Sequence, residues 1–222
     1  MKICVVTPYF ETPDHWLRQC CASVRSQSVE AHHILVCDGT QPAQMPDFHG
    51  SHIILQRNFQ DYGNTPRLIG CYQAMAMGAD AIAFLDADNW YYRDHLEDLS
   101  RFASQNLLEA VCSSRMLHRL DGTTMIKCPT VDGKHFIDTN CLFVLRPAFP
   151  HMVAWAAQPM SEAAVADQWV WQHMARSGIR LGFRDRPTVA YRTRHAVHYA
   201  QAGEAPPDEA VNRTDHHGAR YH

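Results

Sequence analysis

Short apolar runs at residues 3–7, 34–37, 53–55 and 81–85 punctuate the first ninety residues, each only long enough for a strand. Between them lie segments of helical spacing. The first carries Trp16, Leu17, Cys20, Cys21 and Val24 on one stripe, with Asp14 placed as an N-cap. The second opens with Thr65 as cap and Pro66 in the first turn, turns Leu68, Ile69, Tyr72 and Met75 inward, and stops at Gly78. A third follows residue 88, with Leu96, Leu99 and Phe102 as its buried face. Strands alternating with helices predict an α/β fold: a mixed, mostly parallel central sheet flanked by helices. Past Glu109 the rhythm changes. Asp121-Gly122 is a hairpin turn signal, 141–145 is an apolar strand before Pro147, and 163–177 reads as a helix closed by Gly178. Strands are expected at 179–183 and 188–191.

This pattern divides the chain into one domain over 1–200 and a tail over 201–222. Within the domain, 1–110 has the rhythm of a nucleotide-binding layer and 111–200 that of a layer shaping the second substrate. The tail carries Gly203-Glu204-Ala205-Pro206-Pro207 and is expected to be flexible. No internal repeat occurs.

Composition narrows the partners. With 20 Lys+Arg against 23 Asp+Glu and a formal charge of -3, the chain offers no broad basic field for nucleic acid or anionic lipid. The 8 cysteines include no Cys-x-x-Cys pair, and Cys4, Cys37 and Cys141 fall in apolar runs, so they read as reduced core residues. The first residues enter a strand without a signal-like apolar stretch, and no apolar run approaches a membrane span, so the cytoplasm, including a membrane-peripheral position, is the expected compartment. Of the 15 histidines, His195, His198, His216, His217 and His222 crowd the C-terminal part.

Asp86-Ala87-Asp88 directly follows the apolar run 81–85. Side chains at i and i+2 of an extended segment share a face, and two carboxylates there suit Mg²⁺ or Mn²⁺, which also accept substrate phosphates. An Asx turn closing the strand uses the same residues and stays open on spacing alone.

Val5-Val6-Thr7-Pro8-Tyr9, Leu35-Val36-Cys37-Asp38-Gly39, Pro66-Arg67-Leu68-Ile69-Gly70 and Phe84-Leu85-Asp86-Ala87-Asp88-Asn89, in this order, resemble family 2 glycosyltransferases of the GT-A fold, over roughly residues 1–192. The resemblance implies that Thr7, Pro8 and Tyr9 line the nucleotide pocket and that Asp38 accepts a hydrogen bond from the base ring. It implies that Arg67 pairs with phosphate or packs on the base, that Asp88 ligates the metal, and that Asp86 contacts ribose or metal-bound water. Asp167, with Glu162 as competitor, takes the place of the base. His195 and His198 compete for the place of a metal or diphosphate ligand, with Arg192 and Arg194 beside them touching phosphate, and Asp138 and Asn140 take that of acceptor-binding residues. Trp90, Trp155 and Trp169 are read as packing residues, with sugar stacking as the alternative.

The activity so implied is an inverting transfer from a UDP-, GDP- or dTDP-sugar to a carbohydrate or lipid-linked acceptor hydroxyl, with Mg²⁺ or Mn²⁺, in polysaccharide biosynthesis. Two rivals stand beside it. A sugar-1-phosphate nucleotidyltransferase resembles a Gly-rich first loop, whereas Thr7-Pro8-Tyr9-Phe10-Glu11 holds no glycine. A catalytically silent nucleotide-sugar binding module would have little use for both Asp86 and Asp88.

Overall fold

The structure, a computed structural model, describes residues 1–42 and 44–211. The N-terminal part runs β1 (Ile3–Tyr9), α1 (Asp14–Arg25), β2 (Ala31–Cys37), β3 (Gly50–Ile54), α2 (Asn64–Ala76), β4 (Ala81–Phe84), β5 (Trp90–Tyr91) and α3 (His95–Gln105). The C-terminal part runs β6 (Ala110–His118), β7 (Thr124–Lys127), β8 (Leu142–Leu145), α4 (Ala166–Arg176), β9 (Leu181–Arg192) and α5 (Ala196–Gln201). 3-10 segments occupy Thr139–Cys141, a single turn, and the longer Arg146–Ala156 and Met160–Val165.

One sheet joins both parts, in the order β3-β2-β1-β4-β8-β6-β9-β5, with β7 on the side of β6. The first four strands are parallel; β8 runs against β4 and β6, and β9 is parallel to β6. β1 and β4 are buried along their whole length, which is why they read as unbroken apolar runs. Tyr9 pairs with Cys37, so β1 and β2 end together, and β4 ends on the same side at Phe84, opposite Val6. The loops after them form the crevice where open α/β sheets take ligands. Among the described residues no helix is long and apolar enough to cross a membrane, and all 8 cysteines are free and buried.

Several local expectations are corrected. Asp14 is the first residue of α1 and makes no side-chain cap. α2 starts at Asn64 after Gly63 at φ 81°, and Asp61, not Thr65, supplies the cap, accepting from the Thr65 amide at 2.8 Å and its hydroxyl at 2.6 Å. The buried face of α2 includes Arg67, Gly70, Cys71 and Ala74; Leu68, Ile69 and Met75 pack against the core partly buried, and Tyr72 is 52% exposed. A Cβ on Gly70 would lie 2.4 Å from Val6 Cγ1, so α2 rests on β1 too closely for a larger residue. The two expected C-terminal strands are one, β9, with Pro187 at an irregularity in its pairing with β6. Residues 201–211 are tied down: Glu204 pairs with Arg119 at 2.5 Å, and Val211 bridges to His195. The rest of the expected tail, with His216, His217 and His222, lies outside the described residues.

Candidate active site

A cleft of about 920 Å³ opens at the carboxyl ends of β1, β2 and β4. Pro8, Tyr9, Asp38, Arg67, Asp86, Asp88 and His195 border it. Thr7 does not. Its side chain is fully buried, and its hydroxyl is engaged by His33 Nε2 at 2.8 Å. Tyr9 borders the cleft while its hydroxyl is held by His52 Nε2 at 2.7 Å. Asp38 accepts from the Phe59 amide at 3.0 Å, and burial raises its pKa.

Asp86 and Asp88 have unequal surroundings. Asp86 Oδ1 accepts from Arg67 Nη2 at 2.5 Å, and its Oδ2 accepts from Asn140 Nδ2 at 3.0 Å. Arg67 is itself fixed by donation to the Tyr62 carbonyl at 2.8 Å and to Asn64 Oδ1 at 3.1 Å, over the ring of Trp155. Among the described residues Asp88 has no such ion pair, and its carboxylate accepts from its own backbone amide. Burial and the neighbouring Asp86 push its carboxyl up to about 7, with Arg192 and Arg194 pulling the other way. Two acids set this close together attract a cation.

Among the described residues no three His, Cys, Asp or Glu side chains converge into a metal cage. Mg²⁺ is commonly held by one or two carboxylates and completed by substrate phosphates. Asp88, with Asp86 beside it, fits that chemistry. His195 borders the cleft, whereas His198 does not: it is buried behind, its Nδ1 2.6 Å from the Thr193 hydroxyl. Burial and the Arg115 charge push it down to about 3. Of the two competing histidines, the expectation of a metal ligand is corrected for His198, which is a packing residue.

A second cavity of about 170 Å³ adjoins the first and shares Tyr62, Arg67 and Asp86 with it. Asp138, Thr139, Asp167 and Tyr191 border it. Asp167 stands in the first turn of α4. Burial and Asp138 push its carboxyl up to about 6, while the Gln168 amide, donating at 2.8 Å, and Arg67 oppose this. Glu162 instead accepts from Trp169 Nε1 at 2.7 Å and borders neither cavity.

Asp138 and Asn140 are corrected in part. Asp138 borders the small cavity but is ion-paired with buried Arg115. Asn140 is 1% exposed, borders neither cavity, and holds Asp86 from behind. Trp155 is fully buried against Phe84, Trp90 packs on Arg192, and Trp169 sits at the surface, so the packing reading holds for the first two.

Sequence reasoning passed over other residues of the large cleft. Trp16, Asn58, Gln60 and Tyr62 border it. Arg194, which the resemblance puts at the phosphate, also borders it, and its guanidinium lies 5.3 Å from the Trp16 ring. Glu11, Gln60 and Tyr62 carry positive φ of 45°, 57° and 60° and all border it. Strained backbone gathered at one cleft is a mark of a functional site. Nothing in the sequence signals it, since no glycine stands at these three positions.

The sequence model of Glycosyl transferase family 2 matches residues 4–157. Among solved structures, S. aureus TarS 1-349 in complex with UDP aligns at TM-score 0.62 with 13% identity, covering 91% of this chain and 63% of that one. S. aureus TarS 1-349 in complex with UDP-GlcNAc aligns at 0.59 with 11% identity, covering 87% and 59%. S. aureus TarS aligns at 0.60 with 12% identity, covering 90% and 38%. The chain thus spans less than two thirds of each, and the likeness shows the fold alone, a GT-A arrangement. No curated protein matches the sequence. Asp167, Arg194 and His195 lie beyond the matched residues and rest on geometry.

Proposed function

The chain belongs to glycosyl transferase family 2, and from that premise we propose that it moves a sugar from a nucleoside-diphosphate donor to an acceptor hydroxyl by an inverting, metal-assisted displacement. One observation carries this reading. The two cavities meet at Arg67 and Asp86, with Asp88 on the larger side and the raised carboxyl of Asp167 on the smaller.

The larger cavity takes the nucleotide, with Asp38 facing the base and Arg194 the diphosphate. The smaller takes the reacting end of the acceptor. Asp167 accepts the acceptor's hydroxyl proton as that oxygen bonds to the anomeric carbon from the face opposite the leaving group. The bond from that carbon to the diphosphate oxygen breaks, and its electron pair leaves on the nucleoside diphosphate. Asp88, assisted by Asp86, would hold Mg²⁺ or Mn²⁺, which supplies positive charge to the departing diphosphate. Arg67 keeps Asp86 in place through the partly buried pair.

The TarS complexes make UDP and UDP-GlcNAc the first donors to try. Thermal unfolding with UDP, GDP or dTDP, each with and without Mn²⁺, tests the reading, because a ligand that binds only the folded state raises its stability. Stabilisation by one nucleotide, deepened by Mn²⁺ and lost in Asp88→Ala, is the expected result. No response to any nucleotide, or a response that ignores Mn²⁺ and survives Asp88→Ala, would contradict it.

A further inference from the structure

The single-turn helix Thr139–Cys141 and the residue before it touch both sides of the site. Asp138 caps this turn, its Oδ1 accepting from the Asn140 amide at 3.0 Å and from Asn140 Nδ2 at 2.9 Å. Its other oxygen is ion-paired with Arg115, which is 2% exposed and lies 3.9 Å from the Tyr191 ring. Asn140 then spends its amide on Asp86: Oδ1 accepts from the Asp86 backbone N–H at 2.6 Å, and Nδ2 donates to Asp86 Oδ2 at 3.0 Å. One residue earlier, Thr139 serves Asp167. Its amide donates to Asp167 Oδ2 at 3.1 Å and its hydroxyl to the same oxygen at 3.3 Å.

Consecutive residues of one rigid turn therefore grip the two acids that the proposed reaction needs on opposite sides of the anomeric carbon. Buried amide groups fully used in this way order their partners, because any other arrangement leaves polar atoms unpaired. We propose that Asp138-Thr139-Asn140 is a positioning element, anchored by Arg115, in which Asn140 sets the donor-side Asp86 and Thr139 sets the base Asp167, fixing the distance between them. This rests on the assignment of Asp86 and Asp167 above. It gives Asn140, expected at the acceptor, a different task.

The two grips fail differently when cut. In Thr139→Val the shape stays and the hydroxyl goes, so UDP binding by calorimetry stays at the wild-type value. UDP release from UDP-GlcNAc then falls about tenfold or more, the worth of one hydrogen bond to a charged group, and Thr139→Ser restores it. In Asn140→Ala both contacts to Asp86 go, and UDP binding weakens about tenfold or more. Should Asn140→Ala fail to fold, the Thr139 pair alone decides. Thr139→Val indistinguishable from wild type in turnover, or no better after reversion to serine, overturns the inference, as does wild-type UDP affinity in folded Asn140→Ala. Asp167→Asn separates the two levels. If it is inactive while Thr139→Val is normal, only the positioning role falls; if it is fully active, the base assignment falls and takes the Thr139 role with it.

Discussion

Replacing Arg67 by Met removes the charge that stands between the two cavities while keeping most of the apolar stem over Trp155. Arg67 makes hydrogen bonds to Asp86 at 2.5 Å, the Tyr62 carbonyl at 2.8 Å and Asn64 Oδ1 at 3.1 Å, and its side chain is 8% exposed. Breaking a fully buried ion pair from one side costs about 3–5 kcal/mol, chiefly through the charge left unpaired. Here the stranded partner is not sealed off: the Asp86 side chain is 29% exposed and keeps its bond from Asn140. Water and that amide relieve part of the penalty, so the expected loss is about 2–3 kcal/mol. For a chain of this size that corresponds to a Tm lower by about 4–12 °C. Urea unfolding with a common slope gives the free energy directly, and calorimetry with UDP reads the second consequence, binding weakened at least about tenfold. An unchanged unfolding midpoint would refute the latch at Arg67–Asp86. An unchanged UDP affinity would refute its place beside the donor.

Asp167 gives a pH signature in both stability and rate. Its carboxyl is held at about 6, above the 3.8 of an ordinary aspartate, so the folded state favours the protonated form. Ionising it costs stability, a cost absent below about pH 4 and complete above about pH 6. Asp167→Asn is therefore expected to be more stable than wild type by about 1–3 kcal/mol at pH 8 and to lose that advantage at pH 4, as chemical unfolding at the two pH values would read. Turnover, which needs the ionised base, should fall about tenfold per unit below about pH 6; a rate still flat well below pH 6 would exclude Asp167 as base. Gly70→Ala drives a methyl into Val6 and should destabilise by about 1–3 kcal/mol, whereas a neutral effect on unfolding would show that α2 can lift off β1 freely.

The first half of the fold was legible because β1, β4 and most of β2 are buried on both faces. A buried parallel strand needs an unbroken apolar run, and 3–7, 34–37 and 81–85 supply one. β6 hid for the opposite reason: Ser113, Ser114 and Arg115 are buried in its middle, where an apolar run would be expected. Arg115 is there to anchor Asp138, a demand of the site and not of the strand. On α2 the larger apolar residues Leu68, Ile69 and Met75 pack only partly buried against the core, and Tyr72 is exposed. Gly70, Cys71 and Ala74 face the sheet because the helix lies so close, and small size, not hydropathy, decides that contact. At the site, the spacing of Asp86 and Asp88 was readable, but their unequal partners were not. The hold of Asn140 on Asp86 spans 54 residues of sequence and exists only after β4 and the Thr139–Cys141 turn have packed together.

Release of UDP from UDP-GlcNAc, measured side by side for the wild-type chain, Asp88→Ala and Asp167→Asn at pH 7.5 (roughly one and a half units above the Asp167 pKa) with Mn²⁺, tests the central claim most directly. The account predicts turnover in the wild type and its near-complete loss in both variants, with UDP still binding to Asp167→Asn. Full turnover by either folded variant would contradict it.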